Sequence, residues 1–272
     1  MSHRLFMLLA VTALAAGCSG DRRPTITLGV PTTIQDSGLL ETVLIEFQRA
    51  QPDTRLRYIA AGSGELLALG RRGDLDVLLA HSPDAEREFV EAGYGLERHR
   101  VMENDFIIVG PPSDPAGIRG MHDAAASLSR IADAGARFLS RGDDSGTHRK
   151  ELELWASIDR TPGGPGYRES GRGMGDVLRA ASELSAYALC DRATFTNLEA
   201  SLDLAILVEG GPRLLNVYSV TIVADARQLQ GARAFAAWLL SDAGQRVIAE
   251  YGVEKFGVPL FFPAAREVRG ES

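Results

Sequence analysis

Polar and apolar positions alternate along Thr25-Ile26-Thr27-Leu28-Gly29-Val30 with the two-residue period of a strand. A polar stretch from Pro31 to Gly38 reads as a turn, and Leu39 to Phe47 then carries its apolar residues at helical spacing. The same unit recurs. Leu56 to Ala60 predicts a strand, and Gly62-Ser63-Gly64 opens a short helix from Glu65 to Leu69. The unbroken apolar run Val77-Leu78-Leu79-Ala80 suits a strand buried on both faces, ahead of a helix from Ala85 to Ala92. Further strands are expected at Asn104 to Pro111, Ala136 to Leu139, Ala186 to Cys190, Leu204 to Val208 and Leu215 to Val223. Helices are expected at Asp123 to Ala134, from Arg149 through Trp155, at Asp176 to Ser185 behind a Gly-rich approach (Tyr167 to Gly175), and at Gly231 to Leu240 and Asp242 to Tyr251. Strands alternating with helices predict an α/β fold with a mostly parallel sheet. Such sheets bind ligands beyond the carboxyl ends of their strands, where Thr32-Thr33, Gly62-Ser63-Gly64 and His81-Ser82 fall.

The stretch Arg141-Gly142-Asp143-Asp144-Ser145-Gly146-Thr147-His148 lies between a predicted strand and a predicted helix. Ser145 or Thr147 can cap that helix, Gly146 lets the backbone approach a ligand, and the first-turn N–H groups point outward. Such a helix start favours an anion, and Arg141, always charged and planar, suits a tetrahedral oxyanion. The plain alternative is a capped helix with a surface ion pair between Arg and Asp. For Gly171 to Gly175, ordinary connection chemistry is as good a reading as ligand contact.

Composition and charge narrow the setting. Residues 1–17 join a short basic start (His3-Arg4) to an apolar run too short to span a bilayer, and end in small residues before Cys18, as in a bacterial lipoprotein signal. Cys18 is thus the expected lipid-attachment site, followed by a tether over 18–24; Ala15 stands where Leu is commoner, so a plain signal-peptidase site nearby is the alternative. The expected location is the periplasm or cell surface, with the lipid as the sole membrane contact. The second and last cysteine, Cys190, sits in an apolar strand and reads as core, so no intramolecular disulfide is expected. Cleavage before Cys18 removes Arg4 and no acid, leaving 28 Lys and Arg against 36 Asp and Glu, a formal charge of −8. That balance argues against nucleic acid or an anionic membrane as partner, but not against an anion held at a local positive site.

Several segments together carry a resemblance. They include Asp36-Ser37-Gly38-Leu39-Leu40, Gly62-Ser63-Gly64, Gly73-Asp74-Leu75-Asp76-Val77, Asn104 to Pro111, Ser140 to His148 and Gly173-Met174-Gly175, spread in order over most of the mature chain. With them the chain resembles the tungstate-binding (TupA-type) family of solute-binding proteins of bacterial ABC importers. The resemblance implies a two-lobed periplasmic-binding-protein fold (type II-like), mostly parallel in each lobe with crossover strands. Lobe one would be 25–105 plus 219–272, and lobe two 106–218. It also implies an oxyanion ligand, tungstate or molybdate, clamped by Thr32, Thr33, Ser63, Arg141, Ser145 and Thr147. No cofactor, no metal cation and no catalysis are implied; the expected partner of the monomer is an ABC permease of the inner membrane. The chain departs from the family in its first turn, where Val30-Pro31-Thr32-Thr33 stands for a run of four hydroxyl residues.

The chemistry agrees with that ligand. A fully deprotonated dianion needs donors and no acceptor; Arg141 supplies one charge and three helix starts about +0.5 each, about +2.5 in all against −2. Phosphate keeps a proton at neutral pH and would require an acceptor, for which Asp36, Asp143 and Asp144 are candidates. Two other readings are weaker. Ser145 and His148 could form a nucleophile and base, but no orienting acid and no Gly-x-Ser-x-Gly elbow accompany them. A ligand sensor of the same fold cannot be separated from a transport component by sequence.

Overall fold

The computed structural model describes residues 23–265. The signal peptide (1–17), Cys18 and the tether as far as residue 22 lie outside the described residues. The first sheet runs in the order β10-β4-β9-β3-β1-β2, with β10 (Phe262–Pro263) at its edge. Strands β1 (Thr25–Pro31), β2 (Arg55–Ala61) and β3 (Val77–Ala80) are parallel, while β9 (Leu215–Val223) runs antiparallel to β3 and to β4 (Gly95–Gly110). The all-apolar β3 is buried on both faces, as its composition requires.

The 16-residue β4 carries the chain from one lobe to the other. It pairs with β9 as far as Asp105↔Leu215, then from Phe106 onward with β7 (Ala188–Asp191) and β8 (Ala205–Val208), both antiparallel. Beside β7 lie β5 (Phe138–Ser140) and β6 (Tyr167–Glu169), parallel to each other, with a bridge from Phe138 to Tyr187. Parallel pairing thus belongs to the strands that precede helices, and the crossover strands run against them. Sequence periodicity shows only the final seven residues of β4, because its earlier half, Gly95-Leu96-Glu97-Arg98-His99-Arg100, is mostly polar.

The buried apolar side chains divide at the same place. One core joins β1 to α2 (Leu39–Ala50) and α9 (Leu229–Leu240), with Phe47 packed edge-on against Phe235 and Trp238 at 5.1 and 5.4 Å. The other lobe has a core on each face of β4: Phe106 and Ile108 pack with α5 (Ala124–Asp133) and α6 (Gly146–Ala156), and Ile107 and Val109 with α7 (Met174–Leu184). Trp155 is buried in the first of these and Cys190 in the second, each in the core as its sequence context suggests.

Two local differences from the sequence expectation concern the cleft. Pro31 to Gly38 contains a helical turn, α1 (Thr32–Asp36), and α3 starts two residues earlier than its apolar spacing suggests, at Ser63 (Ser63–Arg71). Both extra pieces are too short and too polar to bear a hydrophobic period, Ile34 being their one core residue, but have helix-start geometry, the preceding residue being extended in each case (Pro31 φ −64°, ψ 147°; Gly62 φ −66°, ψ 153°).

Candidate functional site

Strand β5 delivers Arg141 into the interior, where its side chain is among the largest fully buried ones. Gly142 turns the chain with φ +62°, and a side chain there would meet Glu169 Cβ at 2.6 Å, so glycine is required. The turn then folds Asp143 back on the guanidinium. Its Oδ2 accepts from Arg141 Nε at 3.1 Å and also from Nη2, and its Oδ1 accepts from the Ser145 N–H at 3.2 Å. Burial alone would raise the Asp143 pKa; the hydrogen bonds and charge of Arg141, with help from Ser145, more than offset it and hold the carboxyl below the usual range. Two of the three guanidinium nitrogens are thereby held. The third, Nη1, is buried with no hydrogen-bond partner.

Ser145 caps α6, accepting from the His148 N–H at 3.3 Å. Thr147 sits in the first turn with a buried, unpartnered Oγ1. Two further buried hydroxyls without partners come from the opposite lobe: Thr32 Oγ1 at the start of α1 and Ser63 Oγ at the start of α3. Buried polar atoms are almost always paired, so four unpaired donors (Thr32, Ser63, Arg141, Thr147) at the meeting of the lobes mark a place made for an acceptor-rich guest.

The lobes are in contact around these residues. The Gly64 N–H donates to the Asp144 carbonyl at 3.2 Å, and a Cβ at Gly62 would lie 3.1 Å from the Asp143 carbonyl oxygen. On the other side Asp36 Oδ2 accepts from the Gly175 N–H at 2.9 Å, and the Asp36 carbonyl accepts from Asn197 Nδ2 at 2.9 Å. Gly146 lies so close to His81 that an added Cβ would be 2.6 Å from both its ring and its carbonyl oxygen. Only a bare backbone fits there.

Of the residues marked from sequence, Thr32, Ser63, Arg141 and Thr147 thus present free donors. Ser145 spends its oxygen on the cap, and Thr33 Oγ1 accepts from Tyr218 OH at 3.4 Å, each retaining its own hydroxyl hydrogen. Sequence reasoning left α7 undecided. Its N-cap, Gly173, has no side chain with which to cap, and a Cβ there would lie 3.6 Å from Thr32 Cβ, so this helix start belongs to the cleft. An uncapped glycine ahead of a helix, Gly173-Met174-Gly175, was the available signal.

The altered first turn also finds its explanation. Val30 is fully buried in the core on β1, facing away from any ligand, and Pro31 precedes the helix with a φ of −64° that its ring already imposes. Neither position removes one of the first-turn N–H groups of α1. The candidate acceptors are engaged: Asp36 with Gly175, Asp143 with Arg141 and Ser145, and Asp144 Oδ2 with Arg149 Nη2 at 2.8 Å. Burial raises the Asp36 pKa, while the Gly175 N–H and the charges of Arg141 and Arg179 favour its ionised form.

Ser145 and His148 are not a nucleophile and base. The Ser145 oxygen faces the His148 backbone, and His148 Nδ1 accepts from the Asp144 N–H at 3.1 Å, closing the turn. No group of His, Cys, Asp and Glu suited to a metal ion occurs among the described residues.

Two lobes joined by crossover strands, with helix starts of both aimed at one buried cluster of donors, define a two-lobed solute-binding protein. Residues 20–243 match the family model described as a PBP superfamily domain. The chain is 43% identical to the tungstate-binding protein TupA of Peptoclostridium acidaminophilum, over 97% of this chain and 99% of that one. Among solved structures, the tungstate ABC transporter protein of Geobacter sulfurreducens matches with a TM-score of 0.76 at 40% identity, covering 84% of this chain and 98% of its own. TupA of Desulfovibrio alaskensis matches with a TM-score of 0.73 at 38% identity, covering 89% and 100%. The chain belongs to the PBP superfamily and, within it, to the TupA family.

Proposed function

We propose that this protein is an extracytoplasmic solute-binding component of an ABC importer and that its cargo is tungstate. The observation that carries the reading is the cluster of unpartnered buried donors, Thr32 Oγ1, Ser63 Oγ, Arg141 Nη1 and Thr147 Oγ1, while the carboxylates of Asp36, Asp143 and Asp144 already have donors of their own. Such a site suits a tetrahedral dianion with no proton to place, and disfavours hydrogen phosphate, whose P–OH would need an acceptor. Thr33 and Ser145 complete the ligand set with hydroxyl hydrogens, and the uncapped starts of α3 and α7 add positive ends of helix dipoles. TupA relatives that are named for tungstate support the choice of cargo; molybdate, of the same shape and charge, is the second ligand of this reading.

The lobes divide between Asp105 and Phe106 and between Tyr218 and Ser219, inside the two crossover strands, so that closing requires only a small twist of β4 and β9. Cys18 carries the lipid that holds the monomer at the outer face of the membrane, and the partner is the importer's permease. Among the described residues no helix is long and apolar enough to cross a membrane. Calorimetric titration of the mature, anion-free protein with tungstate, molybdate, sulfate and phosphate separately is the test. Tight binding of tungstate with phosphate silent is the expected result; phosphate binding with tungstate silent would overturn the cargo. Mass spectrometry of the membrane-associated protein, with Cys18→Ser as the released control, tests the anchor.

A further inference from the structure

A chain of buried polar side chains crosses the hinge and ends on the cleft. His81 Nδ1 lies 3.0 Å from Asn216 Oδ1, Asn216 Nδ2 donates to Asn104 Oδ1 at 2.8 Å and to Tyr218 OH at 2.9 Å, and Tyr218 OH donates to Thr33 Oγ1 at 3.4 Å. His81, Asn104, Asn216, Tyr218 and Thr33 are all buried. Asn104 and Asn216 face each other across β4 and β9, on the two strands that join the lobes. The His81 ring stacks on Tyr218 at 4.9 Å and 7°, and Gly146 at the start of α6 lies against its Cδ2–Nε2 edge.

Direction follows from valence. Both protons of the Asn216 amide are used, on Asn104 and Tyr218, so its oxygen must accept, and His81 must donate from Nδ1. The Tyr218 oxygen receives a proton from Asn216 and so gives its own hydrogen to Thr33. Thr33 Oγ1 receives that hydrogen on the lone pair facing Tyr218, which leaves its own O–H as the group directed away from the relay. Burial keeps His81 neutral, its pKa pushed down to about 4, so a single ring nitrogen carries the hydrogen on which this direction depends. Burial likewise raises the Tyr218 pKa and retains its proton.

We infer that His81, Asn216 and Tyr218 form a one-way hydrogen-bond relay across the hinge that presents Thr33 to the ligand as a donor, and thereby sets the preference for a fully deprotonated oxyanion. The inference rests on the oxyanion reading above. His81, Asn216 and Tyr218 touch no ligand; they are positioning residues acting through Thr33. Because the relay is assembled on β4, β9 and the end of β3, it also ties the polarity of the site to the hinge strands rather than to the cleft surface.

The test is a double-mutant cycle read by tungstate titration. Tyr218→Phe keeps the ring and its stacking but frees Thr33 to turn a lone pair toward the ligand. It should weaken tungstate binding by about tenfold, the scale of one neutral hydrogen bond, and narrow the preference for tungstate over inorganic phosphate. In a Thr33→Val background the same change should have no further effect. Equal losses in both backgrounds would overturn the relay, because they would reflect packing alone. Should Tyr218→Phe fail to fold, nitrogen-15 NMR of the His81 ring in the wild-type protein decides the matter. A hydrogen on Nδ1 supports the relay, and one on Nε2 reverses its direction and refutes it. Wild-type protein that binds no tungstate would sink the proposed cargo and not the relay, since the ring tautomer is measured without ligand.

Discussion

The two lobes bring different chemistry to the same cleft. The lobe built on β5 to β8 contributes the only buried guanidinium among the described residues, held through Nε and Nη2 by Asp143, and a helix start capped by its own Ser145. The lobe built on β1 to β3 contributes no cation at the cleft; it offers hydroxyls and the helix starts of α1 and α3, neither of which has a side-chain cap. Charge neutralisation thus comes mainly from one side, and the other side supplies neutral donors that need the lobes together. A dianion can pair with Arg141 first and gain its remaining hydrogen bonds only when the Gly64 N–H reaches the Asp144 carbonyl and the cleft excludes water.

Removing the charged side tests this contrast most severely. Arg141→Ala should lower tungstate affinity by about a hundredfold or more, the scale of deleting one partner of a buried charge pair, with the circular dichroism spectrum unchanged. An unaltered calorimetric titration would shift the charge to another residue. Keeping both sides but holding them apart should cost less. In Gly146→Ala the new methyl meets the His81 ring and carbonyl at 2.6 Å, and relief requires moving the lobes; overpacking of about 1–3 kcal/mol predicts a loss of about fivefold to 150-fold. Small-angle scattering of this variant with tungstate should then show a larger radius than the wild type; equal radii would mean that closure does not require a bare backbone at 146.

The mildest test touches the support of the charged side. Glu151, one turn beyond Thr147 on α6, accepts from Tyr167 OH at 2.9 Å and Trp155 Nε1 at 3.3 Å. Burial raises its pKa from 4.5 to about 7, with those donors acting in the opposite sense. As pH rises from about 4.5 to about 7, the unfolded chain ionises this group while the folded one retains the proton, so its contribution to stability falls across that window. Glu151→Gln should flatten this dependence, which for a pKa displaced from 4.5 to about 7 spans about 3 kcal/mol at most, or roughly 6–12 °C in Tm for a domain of this size. A Tm profile identical to the wild type would show that Glu151 is already ionised in the folded protein.

How legible the molecule was in its sequence differs from one feature to another. The alternation of β1, the all-apolar β3 and the amphipathic α9 announced themselves, because each buries a regular set of positions that its period alone specifies. Arg141 and the run Ser145-Gly146-Thr147 read as an anion-binding turn from sequence, since their residue types belong at a helix start. The five-residue α1, the polar first half of β4 and the role of α7's start were not readable. Hydrophobic periodicity carries no information where residues are small and polar, and those residues adopt their conformation because neighbouring elements surround them.

By itself the sequence determined the α/β class, the helix starts and their stock of donors, because propensity, capping and hydrophobic period act over a few residues. Which of the donors would remain unpartnered, only the tertiary structure decided. Asp143 turns back on Arg141, Asp36 crosses to Gly175, and Tyr218 reaches Thr33 over 185 positions of chain. Whether a hydroxyl donates or accepts depends on what else it touches, and those partners are assembled only when distant strands and helices pack against one another.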